Sequence, residues 1–291
     1  MALGRDGGYV TTAWWRPGMM AELCARALAA GIEPEYVREL VRRRRLVPDQ
    51  PPLDVPEWPW PLRVHTLGGF RLEKDGRPVE FTGKAQRKPM AMLEAIVAFG
   101  GRGVHEPQLA EALWPDAEGD AAHQAFATTL HRLRRLVGQD DTVALREGRV
   151  SLDSRRCWVD VWAFEALLDQ ADAEKAGNAA RARTLGERAL ALYRGPFLGP
   201  DSPAWAVAAR ERLRRRFLRG VGRLGRHSED AGEWRPAIEW YEKGLEVDEL
   251  AEEFYQPDLV LRELDRGSSG LSRPGLRLQR HGPGDLQPER V

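Results

Sequence analysis

Residues 120–137 read Asp120-Ala121-Ala122-His123-Gln124-Ala125-Phe126-Ala127-Thr128-Thr129-Leu130-His131-Arg132-Leu133-Arg134-Arg135-Leu136-Val137. Wound at about 100° per residue, this stretch separates into two faces. Ala122, Phe126, Leu130, Leu133 and Val137 form an apolar stripe that needs a protein surface to cover it. Gln124, Thr128, His131 and Arg135 lie opposite, with Arg132 beside them, and every one of them can hydrogen-bond. Between Ala121 and Val137 there are arginines and no acid. A helix of this kind fits the major groove of B-DNA, where Arg reads guanine, Gln reads adenine, and Thr offers a hydroxyl and a methyl. On an isolated helix such a stripe more often just meets solvent, so the flanking elements decide.

Upstream, a helix is expected from about Gln86 to Phe99, stopped by Gly100-Gly101, and a shorter one from Pro107 to Trp114, closed by Pro115. Asp120 can cap the third helix and Gly138 ends it. Downstream, Val143 to Arg146 and Arg149 to Leu152 flank Glu147-Gly148, the signal of a tight hairpin. Ahead of all this, Leu62 to Leu67, Gly69 to Glu73 and Val79 to Phe81 predict a small antiparallel sheet, with a turn at Lys74-Asp75-Gly76. Two helices joined by a short turn and followed by a basic hairpin make a winged helix-turn-helix, whose wing reaches the neighbouring minor groove. The candidate DNA-binding residues are therefore Gln124, Thr128, His131, Arg132 and Arg135 on the third helix, and Arg149 in the wing beside Arg146. Lys84 and Arg87, next to Lys88 at the start of the first helix, are suited to phosphate. Arg42 to Arg45 are also basic but end a helix, where cations favour the macrodipole.

The expected fold is mostly α with small β, a winged helix-turn-helix followed by an α-helical TPR-like domain. Residues 1–46 form a helical hairpin (Met19 to Ala30, Glu33 to Arg44, joined at Gly31). Residues 47–61 are a proline-rich linker with Trp58 and Trp60 available for docking. The winged helix occupies 62–155 and the helical domain 156–265, with helices at Val161 to Ala173, Asn178 to Tyr193, Ala204 to His227, Pro236 to Val247 and Ala251 to Leu261. Within it, Gly232 to Asp248 has the small-and-large spacing of a TPR second helix. Residues 266–291 lack apolar period and are expected to be disordered and cleaved first by protease. A solenoid ending this way is expected to leave an apolar face near Trp240, Tyr241 and Phe254 partly uncovered, favouring self-association.

Composition narrows the function classes. The 291 residues are 42% hydrophobic and 30% charged with zero formal net charge, which suits globular domains and excludes a general polyanion-coating protein. No apolar run approaches the ~20 residues of a membrane helix and the first residues lack a secretory apolar block, so a cytoplasmic location with no membrane partner is expected. Cys24 and Cys157 supply neither a disulfide framework nor a four-thiolate metal site. His105-Glu106 lacks the second histidine of a zinc protease motif, the paired glycines at 68–69 and 100–101 have no dinucleotide-binding context, and no nucleophile elbow occurs. Neither an enzymatic function nor a cofactor is expected.

The run Ala125 to Gly138 resembles the recognition helix of the OmpR/PhoB-type winged helix found in SARP-type regulators, and Leu113-Trp114-Pro115-Asp116 resembles the turn before it. Cys157-Trp158-Val159-Asp160-Val161-Trp162-Ala163-Phe164 and Leu192-Tyr193-Arg194-Gly195-Pro196-Phe197-Leu198 are similar to the start and middle of the bacterial transcriptional activation domain, BTAD. The resemblance covers roughly Leu62 to Tyr255. It implies double-stranded DNA as partner at promoters, with the helical domain serving self-association as a homo-oligomer or contact with RNA polymerase. The amino-terminal hairpin resembles the end of the helical repeats of larger MalT-like regulators, although no G-x-x-x-x-G-K-[ST] phosphate loop is present. The competing expectation is a protein-interaction scaffold, or truncated regulator, whose winged helix no longer binds DNA specifically.

Overall fold

The structure is a computed structural model and describes residues 1–8, 10, 16–80, 84–138, 140–174, 178–201 and 203–255. The expected tail at 266–291, the end of the helix placed at Ala251 to Leu261, and Phe81 lie outside the described residues. The chain divides into two compact units, Met1–Leu224 and Gly225–Val291. The boundary expected between residues 155 and 156 thus falls inside the first unit.

After a short α1 (Ala2–Asp6), the first unit pairs α2 (Pro17–Ala29) with α3 (Pro34–Arg44), each with proline in its first turn. Ala21, Cys24 and Leu28 of α2 and Val37, Leu40 and Val41 of α3 share one apolar cluster with Val55, Trp58, Trp60 and Trp158. The proline-rich segment is therefore a docked strap: Trp58 and Trp60 are buried, edge to face with ring centroids 6.4 Å apart.

Four strands form the first sheet, in the order β3 (Arg77–Pro78), β2 (Arg71–Lys74), β1 (Leu62–His65), β7 (Cys157–Val159). β1 and β2 are antiparallel, whereas β7 lies parallel to β1 with Val64 opposite Val159. Cys157, Trp158 and Val159 are buried in succession, as befits a short strand covered on both faces. These residues were expected, without a strand, at the start of the helical domain. The three residues pair with β1 in the amino-terminal sheet and carry the chain straight into α7 (Asp160–Ala173).

The winged helix follows the expected order. α4 (Lys84–Ala98) ends with the Gly101 N–H reaching the Ile96 carbonyl at 2.8 Å while Gly100 sits at φ 100, a left-handed helix stop that only glycine adopts freely. β4 (Val104–His105), which the pattern did not reveal, leads into α5 (Glu106–Leu113), and α6 (Gly119–Val137) follows. β5 (Val143–Arg146) and β6 (Arg149–Leu152) make the hairpin, with β4 paired to the other edge of β6.

α7 and α8 (Ala179–Leu192) form a helical hairpin, and α9 (Val207–Asp230) packs on both: a Cβ at Gly220 would lie 2.9 Å from Leu190 Cδ2 and 3.3 Å from Leu168 Cδ2. The winged helix is fastened to these helices at several points. Trp162 Nε1 donates to the Gly100 carbonyl, the Phe99 and Trp205 rings approach at 6.4 Å, and Leu198 N–H donates to the Thr66 carbonyl at 2.7 Å beside a bridge between Leu67 and Phe197.

In the second unit α10 (Trp234–Val247) shows the small-and-large packing of a TPR helix. A Cβ at Gly225 would fall 2.5 Å from the Tyr241 ring, so glycine is the socket for that tyrosine. Tyr241 and Phe254 are buried and stacked at 5.7 Å, and Lys243 covers the Trp240 ring. Of the apolar face expected to lie partly uncovered, Tyr241 and Phe254 are therefore covered, while Trp240 stays half-buried. No helix among the described residues is long and apolar enough to cross a membrane.

Candidate nucleic-acid interface

α6 uses its apolar stripe as the period required. Phe126, Leu130, Leu133 and Val137 are buried, Ala122 is half-buried, and Thr129 joins the core beside them. Burial of this stripe turns the opposite side outward. Gln124, Thr128, His131, Arg132 and Arg135 are all exposed, together with Ala127, whose small side chain leaves the centre of the face low. Neither Arg132 nor Arg135 makes an ion pair or hydrogen bond among the described residues, so both guanidinium groups keep all their donors.

The wing sits at a fixed place relative to this helix. Arg134, on the flank of the apolar stripe, turns its guanidinium to the first strand of the wing and donates from Nε to the Val143 carbonyl at 2.9 Å. The wing turn, Glu147-Gly148, has positive φ at both residues, the type I′ geometry of a tight hairpin. Arg146 and Arg149 stand directly opposite each other at its tip, both exposed and without an acidic partner among the described residues. Like charges in directly opposed strand positions destabilise a hairpin, so nothing in the fold favours this pair.

Two polar contacts link the three helices, one between α5 and α6 and one between α4 and α5. His123 Nδ1, in the first turns of α6, meets Glu106 Oε1 at the start of α5 at 2.5 Å. Lys88 Nζ donates to the Leu113 carbonyl at the end of α5 and lies 5.4 Å from the centre of the Trp114 ring. Lys88 thus meets a helix end, where a cation faces the negative end of the macrodipole. Arg87 in the same turn is exposed; of Lys84 only the backbone is described. Sequence reasoning assigned no role to Arg134. Its contact is with a strand nine positions away, and no local period signals it.

Among the described residues no group of three or more His, Cys, Asp or Glu side chains is placed to hold a metal ion. Both cysteines are buried free thiols; burial pushes Cys24 up to about 11 and Cys157 higher still, which keeps them protonated and unreactive at neutral pH.

A winged helix-turn-helix joined to a TPR-like helical domain defines the architectural class of this chain. Residues 159–268 match the family model of the bacterial transcriptional activator domain, BTAD. It is 29% identical over 168 residues to "Regulatory protein AfsR" of Streptomyces griseus, a match covering 57% of this chain and 17% of that one. Against "Regulatory protein AfsR" of Streptomyces coelicolor the identity is 30% over 153 residues, covering 52% of this chain and 15% of the other. The chain thus spans less than a fifth of the length of these relatives. Among solved structures, Mycobacterium tuberculosis EmbR in complex with a low-affinity phosphopeptide shares the fold at a TM-score of 0.58 and 22% identity, over 72% of this chain and 56% of that one.

Proposed function

We propose that the chain is a DNA-binding transcriptional regulator that docks α6 in the major groove of promoter DNA and lays its wing, of OmpR/PhoB type, along the flanking minor groove. The observation that carries this reading is the pairing of an exposed, hydrogen-bonding, acid-free helix face with a wing whose opposed Arg146 and Arg149 have no acidic partner among the described residues. Such cations are costly to hold together unless a polyanion neutralises them. Gln124, Thr128, His131, Arg132 and Arg135 are the base-reading set; Arg149, Arg87 and Lys84 meet phosphate. The helical domain supplies the surface for self-association or for contact with RNA polymerase. This role is non-enzymatic and cytoplasmic.

The test is a gel-shift titration with duplexes selected from random sequence, at several salt concentrations. A regulator retains a specific-to-non-specific ratio of about 10³ or more at physiological salt. Binding that follows salt alone, with no sequence preference, would instead support an interaction scaffold.

A further inference from the structure

The first unit encloses a second feature that promoter binding does not use. A cavity of about 670 Å³ opens between the docked strap, the β1–β2 hairpin and the α7–α8 pair. Its size is that of a small-molecule site. Leu53, Trp158 and Leu192 give it an apolar wall, and four arginines, Arg63, Arg71, Arg188 and Arg194, line it as well.

The charges do not cancel. Arg71 has Glu73 at 3.4 Å. Arg63 donates to the Pro56 and Trp58 carbonyls, and Arg188 to the Asp54 carbonyl, contacts that satisfy N–H groups without neutralising them. Arg194 has no partner among the described residues. Two carboxylates line the cavity as well: Asp160, which accepts hydrogen bonds from Thr66, Leu67 and Val161, and Asp54, which makes no ion pair with these arginines among the described residues, so the four cations outnumber the lining acids. His65 also lines the cavity, and its Nε2 has no hydrogen-bond partner among the described residues, although Glu73 approaches to 3.4 Å. Cations next to an apolar wall, Arg63 and Arg188 half-buried and Arg71 and Arg194 exposed, are complemented by an anion with a hydrophobic body.

We infer that this cavity binds an amphipathic organic anion, its acidic group held by Arg194 and Arg188 and its apolar part against Trp158 and Leu192. Such a ligand touches the strap, the first sheet and the helical hairpin together, so it acts as an effector that tightens the first unit. The inference stands on the cavity and does not require the DNA-binding reading.

The probe is 1-anilinonaphthalene-8-sulfonate, an apolar anion, with uncharged N-phenyl-1-naphthylamine as its control, both titrated into the full chain by fluorescence. One saturable sulfonate site per chain is expected, with a rise in the thermal midpoint of the protein. Arg194→Met should weaken the anionic dye by about tenfold or more, the worth of a charge-assisted hydrogen bond, and leave the neutral dye unchanged. Ala191→Trp, which places a large ring on the cavity lining, should exclude both. Since Arg194 and Ala191 are exposed, both variants should keep the parent circular dichroism. Equal binding of the sulfonate to parent, Arg194→Met and Ala191→Trp overturns the inference, as does the absence of a saturable site.

Discussion

Asp160 Oδ1 accepts the Thr66 hydroxyl at 2.8 Å while its Oδ2 accepts the Thr66 backbone N–H at 2.6 Å, so the first residue of α7 grips the strand end leaving β1. Leu67 N–H and Asp160's own neighbour, Val161 N–H, complete the set at 2.8 Å each. Burial raises the carboxyl above its ordinary range, and these four donors oppose that rise. Asp160→Ala leaves several buried donors without an acceptor, each costing about 1–3 kcal/mol, and should lower stability by roughly 3 kcal/mol. Thr66→Val removes one hydroxyl and should cost about 1 kcal/mol. Urea unfolding of the two variants checks the order; a smaller loss for Asp160→Ala would mean the carboxylate is not the clamp.

Two adjacent glycines in the next turn should behave differently. Gly68 has φ 95, and a Cβ there would stand 2.9 Å from the Arg194 carbonyl carbon, a backbone atom that cannot swing away. Gly69 has φ 128 but open space around it. Gly68→Ala should therefore carry both backbone strain and a collision, about 2–3 kcal/mol or more, whereas Gly69→Ala carries only the strain, about 1 kcal/mol. Thermal midpoints of the two variants decide this; equal losses would show that close approach of the turn to residue 194 is not what the glycine serves.

His65 gives a pH prediction with a definite sign. Burial first, then Arg71, Arg194 and Arg63, push its imidazole from 6.5 down to about 4, with Glu73 opposing. An unfolded chain takes up this proton near 6.5 and the folded one only near 4. Stability from the neutral ring is thus complete above 6.5 and lost as pH falls through the interval toward 4. Between pH 6.5 and 5, His65→Gln should show a flatter dependence of melting temperature on pH than the parent. Identical slopes would remove His65 as the cause.

The winged helix and helical domain were legible in the sequence because α6, α8 and the wing carry strong local signals: a sustained helical period in Phe126, Leu130 and Leu133, and a Glu147-Gly148 turn between alternating strands. β7 was not, since Cys157, Trp158 and Val159 are buried on both faces and lack alternation. β4 has two residues and no period at all. The docking of the strap rests on Trp58 and Trp60 finding Trp158 a hundred residues on, and only their being tryptophans hinted at it. In the interface, the outward residues followed from the apolar seam that fixes the helix. Arg134 and Lys88 were illegible for a shared reason: a long flexible cation chooses its carbonyl partner in three dimensions, so Val143 and Leu113 could not be read from spacing.

Three neighbouring positions on α6 separate reading, positioning and folding. Leu133 is fully buried, and Leu133→Ala opens a cavity that should cost about 2–5 kcal/mol of stability and lower DNA binding only by unfolding. Arg135 is exposed and without a partner among the described residues; Arg135→Ala should leave stability within about 0.5 kcal/mol of the parent. Its loss should appear as about 1–3 kcal/mol of binding together with a relaxed preference at one base pair. Arg134 touches the wing and not the outer face, so Arg134→Met frees the Val143 carbonyl and lets the hairpin drift from α6. That variant should bind every sequence several-fold more weakly with base preference unchanged, because the wing contributes phosphate contacts that carry no sequence information. Measuring melting temperature, affinity and selected-site preference on the same three proteins tests the scheme. If Arg134→Met alters base preference, Arg134 itself reads DNA; if Arg135→Ala binds selected DNA like the parent while folded, α6 is not the reading helix.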